Sequence, residues 1–240
     1  MCEIKLYNGD FISKLDNVEN ESIDLILTDI PYNISKKNGL GGFDKKNNRN
    51  RVGIDFGDWD YGFDVSNLRF LQKKLKKTGS IVIFSAFEQL HDISNAFDEC
   101  ILKDKLIWEK SNPFVRNRDR RYISNIEFCS WFVKSKKWTF NRQHQTYESS
   151  VLRYPSESGG GQVRYHSTQK NLKMIEYLLR IHSKENDLVL DPFMGGNTTG
   201  VACLKNNRNF IGIEIDEKYF EISKNRIDSV KKDLNKPPEK

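Results

Sequence analysis

Residues 187–216, DLVLDPFMGGNTTGVACLKNNRNFIGIEID, constrain the fold more than any other stretch. DLVLD (187–191) is a short apolar run suited to a buried strand, and FIGIEI (210–215) is another. Between them lie a glycine-rich turn and a segment from Thr198 that suits a helix. Two strands joined through one helix run parallel, and a parallel sheet needs helices over its faces. An α/β architecture follows.

The rest of the chain repeats that alternation. Strand-like runs occupy 3–7, 23–29, 80–85, 105–110 and 127–134, and amphipathic segments near 64–77, 87–99, 169–183 and 217–229 read as helices. The basic-then-glycine run KKTGS suits a C-terminus for the helix at 64–77. At 240 residues, one domain over 1–230 is expected, with 231–240 as a disordered tail. Two long segments, 33–62 and 139–166, lack clear periodicity, and loops of that length inside a domain are usually functional or disordered.

The turn after Asp191 carries chemistry. Gly195 and Gly196 let backbone approach a ligand closely. About 20 residues further on, Glu214 ends the next strand, where an acidic residue can hold the ribose hydroxyls of an adenosine cofactor. The spacing is that of a Rossmann-like unit, but the glycines do not follow G-x-G-x-x-G. A strand-ending Asp191 repels a pyrophosphate and attracts an ammonium, which favours S-adenosylmethionine over NAD. The bland alternative is an ordinary βαβ turn.

A second run, IDLILTD (23–29), also ends in a carboxylate, and then breaks into Ile30-Pro31-Tyr32. This is either a plain strand-to-loop turn or the rim of a pocket for a flat, amino-bearing ring. Charged residues make up 30% of the chain, and no apolar run is long enough to span a bilayer. The N-terminus lacks an apolar core of the signal-peptide kind. The cysteines at 2, 100, 129 and 203 form no metal-ligand spacing. A cytoplasmic protein without a metal is expected. The net charge is +6, and Lys and Arg cluster in 36–51 and 110–121, where they can meet phosphates or form a solvated face.

TDIPY (28–32), HSTQK (166–170) and DPFMGGNTT (191–199), in that order, resemble the β-class amino-methyltransferases of DNA, whose usual forms are DPPY, HPTQKP and DPFxGSGTT. YNGD (7–10), GIDFGDWD (53–60) and RRYISNIEF (120–128) fall where such enzymes have similar stretches, so the likeness covers nearly the whole chain. It is nearest to short N6-adenine members of restriction–modification systems with asymmetric, type IIS-like sites. Ile30 replaces the first proline, Asn171 the proline after Lys170, and Gly196-Asn197 the usual Ser-Gly. Asn tolerates left-handed φ, so Asn197 can stand where glycine is usual.

The resemblance implies a Rossmann-like S-adenosylmethionine-dependent methyltransferase domain with a permuted motif order and a mixed seven-stranded sheet containing one antiparallel strand. It implies that Asp10 approaches the cofactor adenine, that Glu214 meets the ribose, and that Asp191 with Phe193, Gly195, Gly196, Asn197 and Thr198 meets the methionine end. Thr168, Gln169 and Lys170 would lie beside the methionine moiety. The catalytic residues would be Asp29, Ile30, Pro31 and Tyr32. The lone pair of an exocyclic amine is delocalised into its ring. A carboxylate and a backbone carbonyl, from Ile30 or Pro31, can accept its hydrogens and draw it toward sp³ geometry. Tyr32 would stack on the base, which must leave the duplex to be reached. Trp59 and Tyr61 could close that pocket or belong to the core.

Double-stranded DNA with a short specific site is the implied partner, read by segments 33–62, 111–122 and 139–166. A homodimer and a separate cognate restriction endonuclease remain open. The four histidines form no catalytic pattern, and His166 suits a structural cap. Asp29, where cytosine-directed members carry Ser, leans toward adenine N6. Cytosine N4 is the neighbouring alternative, and a nucleic-acid-binding protein with a vestigial cofactor pocket is the alternative from another class.

Overall fold

The computed structural model describes residues 2–33, 43–44, 49–50, 62–113, 122–157, 165 and 168–236. Ten strands lie among them: β1 (Ile4–Asn8), β2 (Ile23–Asp29), β3 (Phe43–Asp44), β4 (Arg49–Asn50), β5 (Leu75–Ser85), β6 (Ile101–Lys110), β7 (Ile126–Val133), β8 (Val151–Tyr154), β9 (Leu188–Asp191) and β10 (Asn209–Glu214). The α-helices are α1 (Phe11–Lys14), α2 (Leu90–Ala96), α3 (Leu172–His182), α4 (Thr198–Lys205) and α5 (Glu217–Leu234).

Eight strands form one sheet in the order β1-β10-β9-β2-β5-β7-β6-β8, and β3 pairs with β4 alone. Within the eight-stranded sheet, β7 alone among the described strands runs antiparallel to its neighbours. The expected single antiparallel strand is therefore present, in a sheet of eight described strands rather than seven. The added strand, β8, lies in the stretch 139–166. It is a four-residue edge strand with one fully buried side chain, Leu152, too short to show a period.

Period-two alternation builds two cores from the same strands. Leu25, Leu27, Val82 and Phe84 face α3 and α4, meeting Met174, Leu178 and Ala202. Ile26, Ile81 and Ile83 face the other way, onto Leu68, Leu71, Ile93 and Phe97, and Ile23 joins them because the register shifts between it and Leu25. Burial on both faces accounts for the continuous apolar runs of β2 and β5. Helix α5 packs on α4 through Ile227, Val201 and Leu204.

The segment expected as a helix over 64–77 divides. Val65–Lys73 is a 3-10 helix, and its buried Val65, Leu68 and Leu71 are spaced by three, which aligns them along one face at three residues per turn. KKTGS lies inside β5 and not at a helix end. Leu75 pairs with Ile23 and Ser80 with Leu25, so the residues between loop out of register. Helix α5 continues to Leu234, into the stretch that reads as a tail.

The chain leaves the β9–β2 boundary in opposite directions, through β10 to one side and through β5 to the other. Such a switch point opens a crevice at the carboxyl ends of the strands. Pairing places Ile26 opposite Leu190, Gly212 opposite Asp191, and Asn8 opposite Glu214. Asp29, Asp191 and Glu214 consequently end three adjacent strands, with Asp10 just beyond the fourth.

Candidate active site

Among the described residues, the catalytic and cofactor-binding candidates named from the sequence, except Asn197, line one cavity of about 350 Å³ at that crevice. The cavity extends from Asp29, Ile30, Pro31 and Tyr32 to Asp191 and Glu214. Asp10, Thr168, Gln169, Lys170, Phe193 and Gly195 also line it, as do Gly196 and Thr198. Trp59, Tyr61 and His166 lie outside the described residues, as do most of segments 33–62 and 111–122.

The turn after β9 is held from two sides. Gly195 N–H donates to Glu214 Oε2 at 2.8 Å, and Glu214 Oε1 accepts from Asp216 N–H at 2.9 Å. From α5, the Ser223 hydroxyl donates to the Gly195 carbonyl and the Arg226 guanidinium to the Gly196 carbonyl. Gly195 has φ +46°. Asn197 adopts φ 59° and ψ 43°, the left-handed conformation expected where glycine is usual, and its side chain caps α4 by accepting from Gly200 N–H. Asn171 likewise caps α3, accepting from Met174 N–H at 3.0 Å. Both departures from the usual motifs thus carry capping hydrogen bonds.

Those geometries set an expectation for stability. Asn197→Gly keeps the conformation and should change the unfolding free energy by only a few tenths of a kcal/mol, on the order of a glycine cap. Asn197→Ala loses the cap and strains φ, at about 2–3 kcal/mol. Urea denaturation of the two variants distinguishes these outcomes, and equal losses would refute the conformational argument.

Asp191 is 4% exposed, and its Oδ1 accepts from the Thr28 hydroxyl at 2.6 Å and from Phe193 N–H at 3.1 Å. Burial pushes its carboxyl up to about 6 despite those bonds. Burial likewise lifts Glu214 to about 7. Asp10 caps α1 through Oδ1, which accepts from Ile12 and Ser13 N–H. The rings of Phe11, Phe63 and Phe193 lie together on the cavity wall, with centroids 4.9–6.3 Å apart. Asn33 holds Phe63 in place by a two-way bond, its Nδ2 donating to the Phe63 carbonyl and its Oδ1 accepting from Phe63 N–H.

At β2, Ile30 is 2% exposed and packs in the second core, so its side chain fills space there. The Pro31 carbonyl already accepts from Gln89 Nε2 at 2.8 Å, which pins the loop. Both oxygens of Asp29 are engaged. The Tyr32 hydroxyl donates to Oδ1 at 2.8 Å, and the Lys170 ammonium to Oδ2 at 2.5 Å. Lys170 therefore turns its charge toward the β2 carboxylate while lining the same cavity as the glycine turn.

Glu127 on β7 completes this cluster, and motif reading did not single it out. Its Oε2 lies 3.0 Å from Lys170 Nζ and 3.2 Å from the Tyr32 hydroxyl, and its Oε1 pairs with Lys110 Nζ at 2.6 Å. Burial would raise the Glu127 carboxyl, but Lys170 and Lys110 hold it down at about 2. Burial raises Asp29 above the ordinary carboxylate range; Lys170 opposes that shift, and Glu127 adds to it. The Tyr32 phenol is pushed well up by burial and by both carboxylates, and stays a donor. The one available sequence signal was the position of Glu127 within RRYISNIEF.

Comparison with known proteins follows the same lines. The model of a DNA methylase family, N6_N4_Mtase, matches residues 23–225. The type II methyltransferase M.HinfI of Haemophilus influenzae is 32% identical over 96% of this chain and 70% of its own length. The crystal structure of the M1.HpyAVI–SAM complex is 31% identical, with a TM-score of 0.72 over 93% of this chain and 98% of that one. The cytosine-N4-specific PvuII DNA methyltransferase shares the fold at a TM-score of 0.73 and 18% identity, covering 98% of this chain and 93% of its own.

Proposed function

Because the chain belongs to this DNA methylase family, we propose that it methylates the N6 amino group of an adenine turned out of double-stranded DNA. More broadly, it is an S-adenosylmethionine-dependent DNA methyltransferase of the restriction–modification type. One observation carries the proposal: the Asp29–Tyr32 motif and the Asp191–Thr198 turn, on adjacent strands β2 and β9, border the same cavity. No helix among the described residues is long and apolar enough to cross a membrane.

The cavity suits a cationic adenosine cofactor. Asp29, Asp191 and Glu214 all line it, and a bound positive charge relieves the cost of ionising carboxylates crowded in a low dielectric. S-adenosylmethionine supplies an electrophilic methyl group on a sulfonium. Glu214 would accept from its ribose hydroxyls, Asp191 and the Gly195–Thr198 turn would face its methionine end, and Asp10 would use its remaining oxygen on the adenine. Asp29 and the carbonyl of Ile30 would accept the two hydrogens of the target amine, since the Pro31 carbonyl is engaged by Gln89. The amine's lone pair then forms the nitrogen–carbon bond as the carbon–sulfur bond breaks toward sulfur. The surplus proton passes to Asp29 and from there to water. Holding nitrogen and methyl in line supplies much of the rate enhancement. No metal is required, because the charge on sulfur is neutralised as the methyl leaves.

The test is incubation with tritiated cofactor and DNA from a strain lacking methylases, followed by digestion to nucleosides. N6-methyladenine is the expected product. N4-methylcytosine would overturn the choice of base, and no transfer would favour a binding protein with a vestigial pocket. Glu214 gives a second expectation. Its carboxyl is lifted to about 7, so it is largely neutral at pH 6 and becomes a charged, stronger acceptor as pH rises. Cofactor binding measured by calorimetry should tighten roughly tenfold from pH 6 to 8. In Glu214→Ala it should be weaker and keep no more than the roughly twofold change that Asp191, at about 6, contributes over that range; a persisting tenfold slope there would assign the proton to another group.

A further inference from the structure

Tyr32 and Lys170 each already donate to one oxygen of Asp29, so a target amine must compete with both donors for that carboxylate. Releasing either donor into a buried site without another acceptor would leave a polar group unsatisfied, and the ammonium is the more costly of the two. Glu127 lies within reach of both. Its Oε2 is 3.2 Å from the Tyr32 hydroxyl and 3.0 Å from Lys170 Nζ, while Lys110 neutralises it from the far side at Oε1. Lys170 is 7% exposed and Glu127 19%, so the exchange takes place largely out of water.

We propose that Glu127 is a positioning residue for methyl transfer: it receives Tyr32 and Lys170 as the target amine takes their places on Asp29, and Lys110 keeps it in position. The inference rests on the reading that Asp29 accepts the amine's hydrogens. Two carboxylates and two ammonium groups balance, so the ammonium of Lys170 is shared rather than committed to Asp29. A neutral residue at 127 would leave Lys170 wholly to Asp29, and the amine would have to displace a full ion pair.

The charged and titratable groups around Asp29 give the assignment a signature. These are Lys170 ahead of α3, Tyr32 in its own loop, Glu127 and Cys129 on β7, and Asp191 on β9, with Lys110 on β6 acting through Glu127. Glu127 raises the Asp29 carboxyl by like-charge repulsion. Removing its charge should let Asp29 ionise at lower pH, and removing Lys110 should do the reverse.

The experiment is single-turnover transfer from tritiated S-adenosylmethionine to methylase-free genomic DNA across pH 5–9, with the full chain in excess. For Glu127→Gln the expected result is a rate at least tenfold lower at pH 8, an acid limb displaced to lower pH, and cofactor affinity within twofold of wild type. Lys110→Met, whose partly exposed site tolerates an apolar chain, should displace the acid limb to higher pH, and it keeps the proposal testable if Glu127→Gln fails to fold. A wild-type rate in Glu127→Gln, or a lower rate with the limb unmoved or raised, overturns the assignment. If Glu127→Gln fails to fold, an acid limb unmoved or lowered in Lys110→Met overturns it. Asp29→Ala is run beside them. If it is inactive while Glu127→Gln behaves as wild type, only the Glu127 assignment falls; if it transfers at wild-type rates, the reading of Asp29 falls first.

Discussion

Asp29→Ala is expected to slow methyl transfer roughly 10²–10⁴-fold, the range associated with loss of a group that accepts protons at the reacting atom. Cofactor affinity should stay near wild type, because the groups proposed to hold the cofactor end different strands, β9 and β10. The fold should also survive. Lys170 retains Glu127 at 3.0 Å, and Tyr32 retains the same carboxylate at 3.2 Å, so no buried cation is stranded. Transfer rates and calorimetry on one preparation give the comparison. A variant that transfers normally would remove Asp29 from the chemistry, and one that loses cofactor binding as well would place it in the cofactor site.

Lys170→Met is expected to be the most destabilising change in the cluster. It leaves Asp29 and Glu127 facing each other with only Lys110 to balance them. Breaking a buried pair by removing one partner costs about 3–5 kcal/mol, and partial exposure of Asp29, at 24%, reduces that to about 2–4 kcal/mol. The pH dependence has a definite sign. Without Lys170 the Asp29 carboxyl, already raised by burial, rises further, so the folded variant takes up a proton that the unfolded chain does not. Its deficit relative to wild type should therefore be largest near pH 8 and shrink as the pH falls toward 5. Urea denaturation at both values measures this. A constant deficit would mean that Lys170 contributes packing alone.

The elements best read from sequence are those with one strong local cause. IDLILTD coincides with β2 because both of its faces are buried, and Thr198–Lys205 follows a capped turn into α4. The segment near 64–77 reads as a helix without revealing its type, because spacings of three fit both the α and the 3-10 period in a short segment, and Val65–Lys73 is a 3-10 helix. Val151–Tyr154 gave no signal, since a four-residue edge strand is defined by the strand it pairs with, β6. The left-handed turn at Asn197 was legible because few residues other than glycine and asparagine adopt it.

Within the site, the sequence determined which chemical groups end the strands. Asp29, Asp191 and Glu214 each close an apolar run, and an apolar run that must be buried delivers its last residue to the edge of the sheet. That logic is local, so it survives in one dimension. Partnership was decided only by the tertiary structure. Lys170 lies 141 positions from Asp29 and Glu127 lies 95 from Tyr32, and no periodicity relates them. The pairing of β7 beside β5 and the approach of α3 over the sheet bring these charges together. Burial then couples them, because in a low dielectric a charge left without an opposite partner is costly.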